Sequence, residues 1–249
     1  MQVKPFKVET EWFKSLRRLM YFPETYVTFD LETSGIDREE DLIVQFGYCV
    51  VVDKELVSRD SFLFDWTRRL SAPDVEWFKA KIERVRSDFA SRGQHYGMSL
   101  DRLCGEGIHP DEALSACSAF FDDWHSQRGY FIGHNVLSFD GPILSSNFKR
   151  FASRSFWLTK DMNVIDTGML AKASQLKLLP GPEERVFDFA HRVARTNGHD
   201  RFWSLDRACV PGLGLDKKHG LHAERMHDAE YDAYVTHLLF EEFRSLAEA

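Results

Sequence analysis

Cysteine is scarce and badly spaced for metal or disulfide work. Cys49, Cys104, Cys117 and Cys209 are the four in 249 residues, and no two stand in a Cys-x-x-Cys spacing. That excludes a cysteine-built zinc module and gives no disulfide framework. Cys49 lies in an apolar stretch, and Cys117 shares a helical stripe with Leu114, Phe121 and Trp124. Both read as small core residues in a reducing compartment. No apolar run approaches a membrane span, and the opening Met1-Gln2-Val3-Lys4-Pro5 has no signal-peptide character. A cytoplasmic location without membrane association is therefore the expectation. Repeats and low-complexity tracts are missing too. Positive charge is in deficit, with 32 Lys and Arg against 39 Asp and Glu, a net charge of −7. This argues against broad nonspecific coating of nucleic acid and leaves room for a local groove.

Polar residues instead occupy places where a core should be apolar. Tyr26 to Glu32 reads as a strand rich in β-branched and aromatic residues. With a period of two, Val27, Phe29 and Leu31 share one face, and Thr28, Asp30 and Glu32 share the other. Two carboxylates thus project from the strand's carboxyl end, before a turn at Thr33-Ser34-Gly35. A surface strand with a polar outer face would explain them. The next strand, Leu42 to Val52, argues otherwise, because it is apolar almost throughout, as in a sheet covered on both faces.

Asp228 to Ala247 reads as a long helix. Asp232, Val235, Leu239, Phe243 and Leu246 fall on one stripe, which is the core-facing side. Asp232 therefore begins an apolar stripe, where a solvated carboxylate is not expected. His227 would lie about 140° away on the same helix. It belongs on the preceding loop, with Asp228 as N-cap. Asp140 follows an apolar strand, Tyr130 to Asn135, and Gly141-Pro142 opens a helix after it. Taken alone, Asp140 is an N-cap.

Together these residues resemble the DEDDh exonucleases, the superfamily that includes the proofreading subunit of bacterial DNA polymerase III, RNase T and oligoribonuclease. Asp30-Leu31-Glu32-Thr33 is similar to the family's first motif. Asn135, Phe139 and Asp140, with His134 beside them, resemble the second, and His227 with Asp232 the third. Val164-Ile165-Asp166-Thr167 and Ser204 to Cys209 look like the segments between the last two motifs. The resemblance spans about residues 24–243. It implies an α/β fold, an RNase H-like mixed β-sheet flanked by helices. It also implies Asp30, Glu32, Asp140 and Asp232 as ligands of two Mg²⁺ or Mn²⁺ ions, and His227 as general base. Leu31, Thr33, His134, Asn135 and Phe139 would contact the substrate, a single-stranded DNA or RNA 3′ end. Residues 29–35 most resemble the proofreading branch, which favours DNA slightly. An RNA-trimming enzyme and a catalytically idle binding or scaffolding domain are the alternatives. Protein partners are not readable.

Around that domain, residues 1–23 read as an N-terminal helical extension, with a helix near Thr10 to Met20 carrying Trp12, Leu16 and Leu19 on one side. Residues 66–107 read as a helical insertion. Its Val75, Phe78, Ile82, Val85 and Phe89 follow core spacing. Trp77, Lys81 and Arg84, with Arg68, Arg69 and Arg86 nearby, form either a solvated face or a basic, aromatic wall for a nucleic-acid strand. Lys217-Lys218-His219 is the better phosphate-contact candidate, and His219 with His222 lacks the cysteine pair of a zinc site. A helix after Pro182 should stop near Asn197-Gly198.

Overall fold

The apolar segments pair into one five-stranded sheet of order β3-β2-β1-β4-β5. The strands are β1 (Tyr26–Thr33), β2 (Ile43–Val52), β3 (Glu55–Leu63), β4 (Tyr130–Gly133) and β5 (Asn163–Asp166). A computed structural model of the chain describes residues 8–156, 158, 162–196 and 204–249. β1, β2 and β3 pair antiparallel, and β4 and β5 join β1 in parallel, so the sheet is mixed. The helices are α1 (Thr10–Arg17), α2 (Ala72–Ser91), α3 (Leu100–Glu106), α4 (Pro110–Ser126) and α5 (Asp140–Phe151). They continue with α6 (Thr167–Leu176), α7 (Val186–Arg195), α8 (Val210–Leu213), α9 (Leu215–His219) and α10 (Ala229–Glu248).

Alternation along β1 separates two cores, as expected for a strand buried on both sides. Val27, Phe29 and Leu31 join Phe121 of α4 and Ile143 and Phe148 of α5. Tyr26, with Ile132 and Ile165, joins Phe13 of α1, Leu170 of α6 and Phe240 and Phe243 of α10. This is the RNase H-like layering expected from the sequence. Helix α10 lies close against β2 at Gly47, where a Cβ would come within 2.2 Å of the Ala229 carbonyl carbon. Only glycine lets the start of α10 descend so near the sheet.

The N-terminal helix is part of this packing. Phe13 stacks on Phe243 at 4.8 Å, and Trp12 Nε1 donates to the Leu178 carbonyl at 2.8 Å. It ends at Arg17, before Leu19, which is 41% exposed rather than on the buried side. In the 66–107 segment, Phe78 and Ile82 of α2 are buried, while Val75, Val85 and Phe89 are half-buried. The expected stop at Asn197-Gly198 lies outside the described residues.

Candidate active site

The carboxyl end of β1 sets Asp30 and Glu32 opposite Gly47 and Gln45 of β2, on the face that meets α10. Thr28 Oγ1, on the same face, donates to the Ala233 carbonyl at 2.8 Å and fixes the helix over the strand. Gln45 seats the start of α10. Its Oε1 accepts from Ala229 N at 3.0 Å, and its Nε2 donates to Asp228 Oδ2 at 3.2 Å. Asp228 is the N-cap, accepting from Tyr231 N at 3.4 Å. Arg102 of α3 donates at 3.3 Å to Asp228 Oδ2, the same oxygen that Gln45 holds. So α10 begins where its first inward carboxylate, Asp232, faces the strand pair.

His227 lies on the loop before that cap, with a left-handed φ of 68°. Its backbone N–H donates to Asp232 Oδ2 at 3.2 Å, which bends the loop back over the site. Asp140 is the first residue of α5, not its cap; Phe139 holds the cap position without a side-chain bond. Asp140 Oδ1 instead accepts from Leu31 N at 3.1 Å, so its carboxylate is turned toward β1. The loop carrying Asn135, itself left-handed at φ 63°, hangs on Asp166. That carboxylate accepts from Asn135 N at 2.9 Å, Leu137 N at 3.1 Å and Met169 N at 3.0 Å. His134 Nδ1 meets Thr167 Oγ1 at 3.0 Å.

One cavity of about 710 Å³ is lined by Asp30, Leu31, Glu32, Thr33, His134, Asn135, Phe139, Asp140, His227 and Asp232. The structure thus brings together every residue that the motifs single out. Glu32, Asp140 and Asp232 are buried, and Asp30 is half-buried. Burial raises the Asp30 carboxyl well above its ordinary range, and the charges of Asp140, Asp232 and Glu32 add to the rise. Glu32 is raised by burial and then by Asp232, Asp228 and Asp140. Asp232 is raised by burial, with Asp206, Asp228 and Asp140 adding repulsion. Asp140 is pushed up to about 7, mainly by burial, against the pull of its backbone hydrogen bonds. Buried like charges of this kind are costly unless a cation joins them.

The donor set fits a hard divalent cation. Asp232 Oδ1 is buried and has no hydrogen-bond partner among the described residues. Ligand atoms of Glu32, His227 and Asp232 lie within 4.8 Å of one another. Carboxylate oxygens suit Mg²⁺ or Mn²⁺, and the imidazole widens the choice to softer ions.

The expected basic surfaces lie elsewhere. Lys81 pairs with buried Asp41 at 3.1 Å, Arg68 with Asp65 at 2.8 Å, and Arg86 with Glu83 at 2.9 Å. Arg69 pairs with Asp111 at 2.9 Å. Lys218 reaches Glu242 of α10 at 2.5 Å, and residues 217–219 do not line the cavity. The cations at its wall are Arg38 and Arg92, with Lys172 deeper in. Sequence reasoning missed these three, together with Gln45 as the seat of α10. Gln45 carried a readable signal, a lone amide in an otherwise apolar strand. Arg38 and Arg92 carried none.

No family model matches the chain, and no curated protein matches it either. Among solved structures, the chain is similar to Escherichia coli exonuclease I in its zinc-bound complex with single-stranded DNA. The TM-score is 0.53 at 16% identity, over 91% of this chain and 42% of that one. The same enzyme bound to a dT13 oligonucleotide gives 0.54 at 16% identity, over 91% and 42%. A product-bound exonuclease I gives 0.50 at 15% identity, over 90% and 45%. The chain therefore spans less than half the length of these proteins, and the likeness is one of fold.

Proposed function

We propose that this chain is a metal-dependent 3′–5′ exonuclease. It would hydrolyse phosphodiester bonds at the 3′ end of single-stranded nucleic acid and release nucleoside 5′-monophosphates by a two-metal mechanism. The observation that carries the reading is the meeting of Asp30, Glu32, Asp140 and Asp232 in one cavity, with Asp232 Oδ1 unpartnered among the described residues. A cluster so charged has no structural use that its repulsion would not cost more than it returns.

Asp30, Glu32, Asp140 and Asp232 would hold the ions. When bound, divalent ions neutralise phosphate charge and make a bound water acidic. The chain's own residues do the rest. His227 takes the proton from the attacking water, a role suited to an imidazole on a loop. Leu31 and Phe139 form apolar wall beside the carboxylates, where the terminal nucleotide would pack. Asn135, His134 and Thr33 border the same space and orient it. Arg38 and Arg92 at the wall would meet phosphates of the incoming strand. DNA is favoured over RNA, since exonuclease I of the same fold is seen with DNA oligonucleotides.

The test is hydrolysis of 3′- and 5′-labelled single-stranded DNA and RNA by purified protein with Mg²⁺ or Mn²⁺, against EDTA. Expected is loss of nucleotides from the 3′ end that stops on chelation. Release from the 5′ end, or activity that survives exhaustive chelation, refutes the reading.

A further inference from the structure

The 66–107 segment has no part in the mechanism above, yet one of its cations is committed to the rim of the cavity. Residues 34–42 join β1 to β2, and Gly35, Ile36 and Arg38 of this loop line the cavity. Ile36 is 86% exposed, so packing does little to hold it there. The loop is instead wrapped around one carboxylate, that of Asp41, which is buried. Asp41 Oδ1 accepts from Ser34 Oγ at 2.9 Å, and Oδ2 accepts from Asp37 N at 2.7 Å. Ser34 closes the base of the loop. Its N donates to the Leu42 carbonyl at 2.9 Å, and its Oγ accepts from Leu42 N at 3.0 Å. At Gly35 a Cβ would come within 2.3 Å of Asp41 Oδ2, so only glycine lets the carboxylate lie against the backbone.

A buried carboxylate needs a counter-charge, and α2 brings it. Lys81 Nζ pairs with Asp41 Oδ1 at 3.1 Å and lies 5.3 Å from the centre of the Trp77 ring, one turn earlier. At about 100° per residue, Val85, Asp88 and Arg92 fall within about 40° of Lys81 around the helix. All three line the cavity. One stripe of α2 therefore begins at the ion pair with the loop and continues as cavity wall. Tyr96, later in the same segment, donates its hydroxyl to the Thr33 carbonyl at 2.7 Å, where the loop begins.

We propose that Lys81 and Asp41 are positioning residues for the rim that receives the substrate strand. Asp41 shapes the 34–42 loop from inside, and Lys81 ties that shape to α2. Arg38 and Arg92 then stand at a fixed separation before a strand arrives. The inference rests on the exonuclease reading, in which those two arginines meet phosphates. The physical case is preorganisation, since a rim ordered beforehand loses less conformational entropy on binding. Neither Lys81 nor Asp41 lines the cavity, so the pair acts through the rim and not by touching substrate.

The experiment compares the native chain with Lys81→Met, which keeps side-chain length and loses the charge, and with Lys81→Arg, which keeps the charge. Expected for Lys81→Met on single-stranded DNA with Mn²⁺ is a KM raised about 3- to 10-fold, the scale of ordering one long side chain on binding. The kcat should hold within about twofold, because the four carboxylates stand on β1, α5 and α10 and not on the loop. Lys81→Arg should restore the native KM. A second readout needs no activity: amide hydrogen exchange of residues 34–42 against that of β1 and α5. Exchange in the loop should quicken in Lys81→Met alone, while β1 and α5 hold. A native KM in Lys81→Met overturns the inference, whatever the exchange. So does a raised KM with unchanged loop exchange, which would make Lys81 a substrate contact. Exchange that quickens in β1 and α5 as much as in the loop overturns it too, by making the ion pair a support of the whole fold. If the native chain degrades no 3′ end, the exonuclease reading fails separately, and loop exchange still decides whether Lys81 holds the rim.

Discussion

At one end of the β1–α10 contact, buried Tyr26, His237 and Arg244 and half-buried Glu241 form a polar cluster; at the other end stand Asp30, Glu32 and Asp232. The same two elements build both, but the chemistry differs. The Tyr26 hydroxyl donates to Glu241 Oε1 at 2.5 Å and meets His237 Nδ1 at 2.8 Å, where it serves as acceptor. Arg244 pairs with Glu241 at 3.1 Å, donates to the Pro23 carbonyl and lies over the rings of Tyr26 and Phe240. Among the described residues its Nε and Nη1 have no hydrogen-bond partner, with those rings as their neighbours. That cluster contains its own counter-charge. In the carboxylate cluster no Lys or Arg among the described residues offsets Asp30, Glu32 or Asp232. Burial lowers His237 to about 4, which keeps it neutral and structural, whereas burial and repulsion raise the carboxylates. A charge-balanced buried cluster can be complete in itself. A cluster of one sign is complete only with something from solution.

The largest effect should come from breaking the one-signed cluster. Asp30→Asn and Asp232→Asn are each expected to reduce 3′-end hydrolysis to background while the protein stays folded. Metal-free melting temperature should hold or rise, because a like charge is removed. Calorimetry with and without Mn²⁺ checks this. Substantial residual turnover in either variant would remove that residue from the metal site.

His227 sharpens the contrast, since its ligand atom also falls near Glu32 and Asp232. As a proton acceptor, its loss in His227→Ala should cut kcat by about 10²–10⁴-fold. Mn²⁺ binding should survive. Calorimetric titration decides: a bound ion lost in the variant makes His227 a ligand and ends the proton-transfer role.

Much of this site was legible because its signals are local and periodic. The Asp30 and Glu32 face follows from strand alternation, and Asp232 from its place on an apolar helical stripe. His227 was placed on a loop by the angle that separates it from Asp232, and Asp228 does cap α10. Illegible were the partners of charges. Lys218 is bound by Glu242, and Lys81 by Asp41, through contacts that no spacing reveals. Asp140 read as a cap because its helix start is local, whereas its actual partner, Leu31 N, lies 109 residues away.

A smaller effect is expected at the balanced end. Tyr26→Phe takes the donor from half-buried Glu241 and leaves buried His237 with one partner fewer. The cost should be about 1–3 kcal/mol, the price of an unmet buried polar group. Urea unfolding measures it, and kcat should be unchanged. A variant that lost activity at native stability would couple the two clusters and break the comparison.

The two ends should also answer pH with opposite sign. In metal-free protein, Asp140 is raised from an ordinary 3.8 to about 7, and Asp166 to about 6. The folded state therefore binds their protons more tightly than the unfolded state does. Between about pH 4 and 7 the carboxylates subtract stability as pH rises, by at most about 1.4 kcal/mol per pH unit for each proton. His237 is lowered from 6.5 to about 4, so the unfolded state binds its proton first. It adds stability as pH rises from about 4 to 6.5, under the same limit on slope. The raised carboxylates outnumber the single histidine, so the metal-free chain should lose stability from about pH 4 toward 7. His237→Gln should steepen that fall and Asp140→Asn should flatten it. Saturating Mn²⁺ should flatten or reverse it in the native chain, because an ion binds the ionised carboxylates only. Chemical denaturation across pH 4.5–7.5 (a range on the order of these windows) reads all four slopes. A metal-free stability that climbs through the window would mean the carboxylates ionise without strain, and the contrast between the two ends would fail.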